Sequence, residues 1–228
     1  MSSRSHPLES IRARIAAVCA RVGRDPASVR LVAVSKTRSP EEIRVVAARG
    51  QTLFAENRVQ EARDKIPLIA DPSLDWHLIG PLQRNKVKTA VEIFSMIHSV
   101  DSFELAGEIS RRMEPIRPMP VLMQVNVGRE PQKSGVAPEE ALEMARAWAS
   151  LPGIQLQGLM TIPPFCDEAE EARPWFRQLA GLRDAIEAAG IDGVSMRELS
   201  MGMSLDFEVA VEEGATLVRI GSALFAAA

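Results

Sequence analysis

The chain has 228 residues, of which 46% are hydrophobic and 25% charged; this is an ordinary globular balance, and it excludes disordered and fibrous classes. A net charge of −3, from 27 basic and 30 acidic residues, leaves no electrostatic footprint for nucleic acid or an anionic membrane. Two cysteines, Cys19 and Cys166, are too few for a disulfide framework or a metal cluster, and a reducing compartment is the simplest reading. The opening MSSRSHPLES carries no apolar stretch after its arginine, and no apolar run approaches the ~18 residues of a membrane span. The expectation is a soluble cytoplasmic chain forming one domain over residues 1–228, with no tyrosine anywhere in it.

In chain order, Leu8–Val22 places Ile11, Ile15, Val18 and Val22 on one face, with Arg12, Arg14 and Arg21 outside, which predicts an amphipathic helix. Leu31–Val34 reads as a buried strand. Ser39-Pro40-Glu41-Glu42 opens the next helix with an N-cap, a proline at the first helical position and a capping box, and Gly50 ends it. The alternation then repeats. Strands are predicted at Leu53–Ala55, Trp76–Ile79, Met96–His98, Val121–Val127, Leu156–Met160, Glu198–Ser200 and Leu217–Ile220. Helices are predicted at Val59–Ile66, Asn85–Val91, Phe103–Met113, Pro138–Ser150, Glu168–Ala189 and Ser204–Glu213. Short apolar strands without clean alternation suit a parallel sheet buried on both faces. Eight such units favour a single (β/α)8 TIM barrel over an open doubly wound sheet.

In such a barrel, functional side chains stand at the C-terminal strand ends. Those positions hold Lys36, Asn57, His77, Ser99, Asn126, Lys133, Thr161, Ser200 and Arg219. Lys36 ends the apolar run Leu-Val-Ala-Val-Ser, so a buried amine with a lowered pKa, competent to form a Schiff base, is one reading. A rim lysine paired with a carboxylate such as Glu56 is the other. Ser200-Met201-Gly202-Met203-Ser204 leads into a helix and offers backbone amides and hydroxyls to an anion, although Ser204 as a plain N-cap also fits. Its place after the seventh strand, beside Arg219-Ile220-Gly221-Ser222 after the eighth, favours a phosphate. Arg219 lies in an apolar strand and needs a partner, either a ligand or a carboxylate such as Glu198. A lysine facing an anion site calls for a ligand with a carbonyl and a phosphate: pyridoxal 5′-phosphate (PLP), or a phosphorylated sugar in a Schiff-base aldolase.

Several motifs carry a resemblance over nearly the whole chain. They are Ala-Val-Ser-Lys36-Thr, Phe-Ala-Glu56-Asn57-Arg58, Trp-His77-Leu-Ile-Gly80-Pro-Leu-Gln83-Arg-Asn85-Lys86, His98-Ser-Val-Asp101, Gln-Val-Asn126-Val, Lys133-Ser-Gly135, Gly158-Leu-Met-Thr161, Leu-Ser200-Met-Gly202-Met-Ser204-Leu-Asp206-Phe and Val-Arg219-Ile-Gly221. Together they resemble the pyridoxal phosphate homeostasis protein family, whose barrel is like the N-terminal domain of alanine racemase. The resemblance implies that Lys36 holds PLP as an aldimine. It further implies that Ser200 and the loop of Gly202, Met203 and Ser204 hold the phosphate with the Gly221 backbone, that Arg219 bonds the pyridine nitrogen, that Asn57 and His77 line the pocket, and that Lys133 lies near its entrance. Family members commonly continue past the final Phe with Gly, Arg and Tyr, whereas Phe225 is followed by Ala226-Ala227-Ala228, so weaker cofactor retention is expected. Racemisation on this scaffold also uses a tyrosine from a second domain. With no tyrosine and no second base, the expectation is a monomeric, non-catalytic PLP carrier that supplies PLP-dependent apoenzymes; a weak racemase or lyase is the alternative.

Overall fold

The computed structural model describes residues 6–225; Ala226–Ala228, the tail that departs from the family pattern, lie outside them. The strands are β1 (Arg30–Val34), β2 (Leu53–Glu56), β3 (Asp75–Leu78), β4 (Met96–Val100), β5 (Met119–Gln124), β6 (Ile154–Met160), β7 (Glu198–Ser200) and β8 (Leu217–Ile220). The helices are α1 (Pro7–Arg21), α2 (Pro40–Ala47), α3 (Val59–Ile69), α4 (Val87–Ile93), α5 (Phe103–Arg112), α6 (Ala141–Ala149), α7 (Arg173–Ala188) and α8 (Phe207–Glu212). All strand pairs are parallel, in sequence order, and β8 closes on β1 with Val32 opposite Arg219. The (β/α)8 barrel is therefore observed.

Strand alternation sorts the side chains into two layers. Val32, Leu53, Ala55, Met96, Leu122, Met160 and Leu217 fill the barrel interior. The intervening residues, such as Ala33, Phe54, Ile97, Leu199 and Ile220, pack outward on the helices. Helix α1 occupies the place of the helix that would follow β8. Its Arg14 bonds Glu208 of α8 at 3.0 Å and stacks on Phe207, while Arg12 bonds the Gly50 carbonyl after α2 at 2.8 Å. The expected capping box of α2 is present, with Ser39 and Glu42 bonding each other's backbone N–H, worth about 1 kcal/mol.

Three elements differ from expectation for local reasons. Strand β5 stops at Gln124 rather than Val127, because the Asn126 side chain bonds the carbonyls of Glu130 and Lys133 and accepts from the Glu130 N–H, tying a loop. Helix α8 begins at Phe207 rather than Ser204, because the Asp206 carboxylate accepts the Met203 N–H at 2.6 Å and fixes a turn first. The segment after Glu168 is a 3₁₀ turn, Ala169–Ala172, before α7 begins. Among the described residues no helix is long and apolar enough to cross a membrane.

Candidate functional site

A cavity of about 520 Å³ opens at the C-terminal end of the barrel, between the loops after β1–β3 and those after β7 and β8. Lys36 lines it from the first side. The chain turns abruptly there: Thr37 has φ 64°, a left-handed conformation that a β-branched residue adopts only under constraint. The constraint is visible. The Thr37 N–H donates to Glu61 Oε1 at 2.8 Å, and Lys65 Nζ donates to the Ser35 carbonyl at 3.0 Å and to Glu56 and Glu61 at 2.9 Å each. Glu56 is wholly buried, one of its oxygens has no partner among the described residues, and burial raises its pKa despite the bonds from Lys65 and Ser35. These groups hold the turn that aims Lys36 at the cavity.

The structure corrects two readings of Lys36 itself. Its side chain is exposed at the rim rather than buried, because Ser35 is the last buried position before the turn. Nor does it pair with Glu56, whose partners are Lys65 and Ser35. Among the described residues Lys36 Nζ has no hydrogen-bond or ion-pair partner and is open to the cavity. Asn57 and Ile79 line the same cavity. Gly80 packs so closely on the Asn57 backbone that a Cβ would lie 2.2 Å from its carbonyl oxygen, and buried Ser99 bonds the Gly80 carbonyl at 2.6 Å.

The opposite side is built from backbone. Met203, Ser204, Leu205, Gly221 and Ser222 line it. The amides of Ser204, Leu205 and Ser222 bond no acceptor among the described residues, and the two serine hydroxyls lie 3.3 Å apart. Free amides from two adjacent loops form a concave donor set suited to an anion. Gly202 lets this wall form: with φ 87°, an added Cβ would meet the Ala210 Cβ at 2.5 Å.

The floor is Arg219, 4% exposed and, among the described residues, without a carboxylate within ion-pair distance. Its Nη1 donates to Ser200 Oγ at 2.7 Å and its Nη2 to the Thr161 carbonyl at 2.8 Å. Glu198, its alternative partner on sequence grounds, is instead bonded to Arg30 at 2.8 Å. Burial lowers the guanidinium to about 10, opposed by the charge of Asp206, so it stays cationic at neutral pH. Beneath it, His98 Nδ1 meets Ser200 Oγ at 2.9 Å, and His98 Nε2 meets His77 Nδ1 at 2.9 Å.

The expected site residues therefore separate into two sets. Lys36, Asn57, Met203, Ser204, Arg219 and Gly221 line the cavity, whereas His77, Ser200 and Gly202 lie behind its walls. Lys133 faces a smaller adjoining pocket and bonds the Pro163 carbonyl at 2.9 Å. Asn126 organises its own loop, and Thr161 Oγ1 bonds the Val125 carbonyl. Sequence reasoning missed Gln124, Ile79, Ile162 and Leu205 as lining residues; Gln124 and Ile79 occupy inward strand-end positions that the register would have given. Both cysteines are free, with thiols raised chiefly by burial.

An exposed amine, a buried arginine and a cradle of free amides meet at the mouth of this (β/α)8 barrel, a set of groups that suits a small anionic carbonyl compound. The class is specified further by comparison: residues 7–228 match the family model of the alanine racemase N-terminal domain. A pyridoxal phosphate homeostasis protein of Aquifex aeolicus is 45% identical over 219 residues, covering 96% of this chain and 95% of that protein. One from Pseudomonas aeruginosa is 42% identical, covering 100% and 96%. The structure of PipY of Synechococcus elongatus with PLP bound superposes with a TM-score of 0.82 at 39% identity, covering 94% of this chain and 99% of that one. The chain belongs to the pyridoxal phosphate homeostasis protein family.

Proposed function

We propose that this chain binds pyridoxal 5′-phosphate in the cavity at the barrel mouth and serves intracellular PLP homeostasis. When bound, the cofactor supplies an aldehyde carbon that condenses with a primary amine and a phosphate dianion that needs several donors. The observation that carries the reading is that one cavity of about 520 Å³ joins the unpartnered Lys36 amine to the free amides of Ser204, Leu205 and Ser222. Lys36 is the group for the aldehyde. The amides, with the Ser204 and Ser222 hydroxyls, are the groups for the phosphate. Arg219 is a donor at every working pH, so it offers a hydrogen bond to the pyridine nitrogen and opposes its protonation. Ser200 and Gly202 support these donors from behind, and Asn57 flanks Lys36.

The role is holding rather than turnover. A chain without tyrosine lacks the phenol that alanine racemase sets opposite its lysine, and Arg219 weakens the ring as an electron sink. The protein acts as a cytoplasmic monomer that buffers PLP and releases it to apoenzymes. Borohydride reduction of the PLP-loaded protein followed by peptide mass mapping tests the site. The adduct is expected on the Lys36 peptide and absent in Lys36→Ala, whereas an adduct on Lys133 or none at all contradicts it. Failure of the loaded protein to activate a PLP-requiring apoenzyme contradicts the supply role.

A further inference from the structure

A line of polar side chains crosses the barrel interior from one end to the other. Asp75, at the start of β3, lies at the N-terminal face, its Oδ2 3.4 Å from His77 Nε2 and its other oxygen bonded by Ser95. His77 Nδ1 meets His98 Nε2 at 2.9 Å, His98 Nδ1 meets Ser200 Oγ at 2.9 Å, and Arg219 Nη1 meets Ser200 Oγ at 2.7 Å. His77, His98, Ser200 and Arg219 are all buried, in a core otherwise made of Val, Leu, Ala and Met. Burying four polar groups in such a core is costly unless every donor has an acceptor. His98 does not line the cavity.

We propose that His98, backed by His77 and Asp75, is a positioning residue that fixes Ser200 and Arg219 beneath the cofactor through a hydrogen-bond chain of single direction. The inference rests on the reading that Arg219 faces the bound pyridine ring. Direction follows from the two ends. Arginine only donates, so Ser200 Oγ accepts from it. The Asp75 carboxyl is held down at about 2, first by its bond with His77, so at neutral pH it only accepts and the facing His77 Nε2 carries a proton. Ser200 Oγ already accepts from Arg219, and among the described residues His98 Nδ1 is the one acceptor in reach of its hydroxyl proton. Burial above all drives His98 well below its ordinary value, so it carries one proton only, on the Nε2 that faces His77 Nδ1. Its Nδ1 is therefore bare and takes the Ser200 hydroxyl proton. Each donor is used once, from Arg219 through Ser200, His98 and His77 to Asp75. The consequence at the cavity is that the Ser200 hydroxyl proton is committed inward. Arg219 is pinned between Ser200 Oγ and the Thr161 carbonyl, with its remaining N–H groups left for the ligand.

The test reads the chain and the cofactor separately. In ¹⁵N-histidine-labelled protein without cofactor at neutral pH, both His77 and His98 are expected as the Nε2–H tautomer. Asp75→Asn, a half-exposed position at the far end of the barrel, is expected to change the tautomer population of His98, which it does not touch. An Nδ1–H or cationic His98 in the wild type, or a His98 unmoved by Asp75→Asn, overturns the directional chain. The second arm titrates the visible absorption of PLP-loaded protein with pH. His98→Leu is expected to move the midpoint by half a unit or more, with Lys36 still trapped by borohydride, and His98→Gln, which keeps an acceptor, is expected to restore part of the shift. Asp75→Asn provides the same readout if His98→Leu does not fold. An unmoved midpoint in both folded variants overturns the link to Arg219. Loss of trapping in the wild type would instead contradict the cofactor reading and leave the tautomer result standing on its own.

Discussion

The two walls of the cavity are built in opposite ways. The lysine wall depends on side chains: a strained turn at Thr37, held by Glu61, and a buried Glu56–Lys65 pair that ties the turn to α3. The anion wall depends on backbone: free amides of Ser204, Leu205 and Ser222, brought forward by a glycine at positive φ. One wall has to place a single flexible amine, and single-atom changes can disturb it. The other has to present several donors at once, and no one side chain carries it.

That asymmetry can be broken most severely at Gly202. Gly202→Ala is expected to destabilise the fold by about 2–4 kcal/mol, from the positive φ together with a Cβ forced against Ala210, read as a lowered urea midpoint. Glu61→Gln tests the other wall. Losing the charged acceptor of the Thr37 N–H is expected to cost about 1–2 kcal/mol of anchoring, seen as slower PLP capture at Lys36 with phosphate affinity unchanged. Ser204→Ala is expected to weaken phosphate binding by only about 0.5–1 kcal/mol, because the amides remain. A loss of phosphate binding as large as that of a removed charge would erase the contrast between the walls. The smallest effect is on acid stability. Asp75 is depressed when folded, so its contribution is present above the ordinary carboxylate pKa of about 4 and fades as pH falls toward about 2. Asp75 is about half exposed, so only a shallow loss is expected, and Asp75→Asn removes it.

The barrel was legible because apolar three- to seven-residue runs alternated with amphipathic segments, and the Ser39–Glu42 signature marked a helix start correctly to the residue. Lys36 and Arg219 were legible as charges attached to apolar strands. The burial of Lys36 was not, because the chain turns at a β-branched threonine that gives no turn signal, and the anchors Glu61 and Lys65 act across the β1–α3 gap. The alternative reading of Ser204 as a plain N-cap is removed by Asp206, two residues later, which takes the Met203 N–H. His98 read as an ordinary strand residue. Its partner Ser200 lies 102 positions away across the barrel, and no local pattern encodes a contact of that kind.

The central claim is that one ligand spans both walls. The most direct measurement is a ¹⁵N–¹H amide titration of the protein with PLP and, separately, with inorganic phosphate. Both are predicted to shift the amides of Ser204, Leu205 and Ser222, and only PLP the turn at Lys36 and Thr37. Shifts gathered instead around Arg12 and Gln51 at the opposite end of the barrel, or a PLP response at Lys36 with the three amides unmoved, would contradict it.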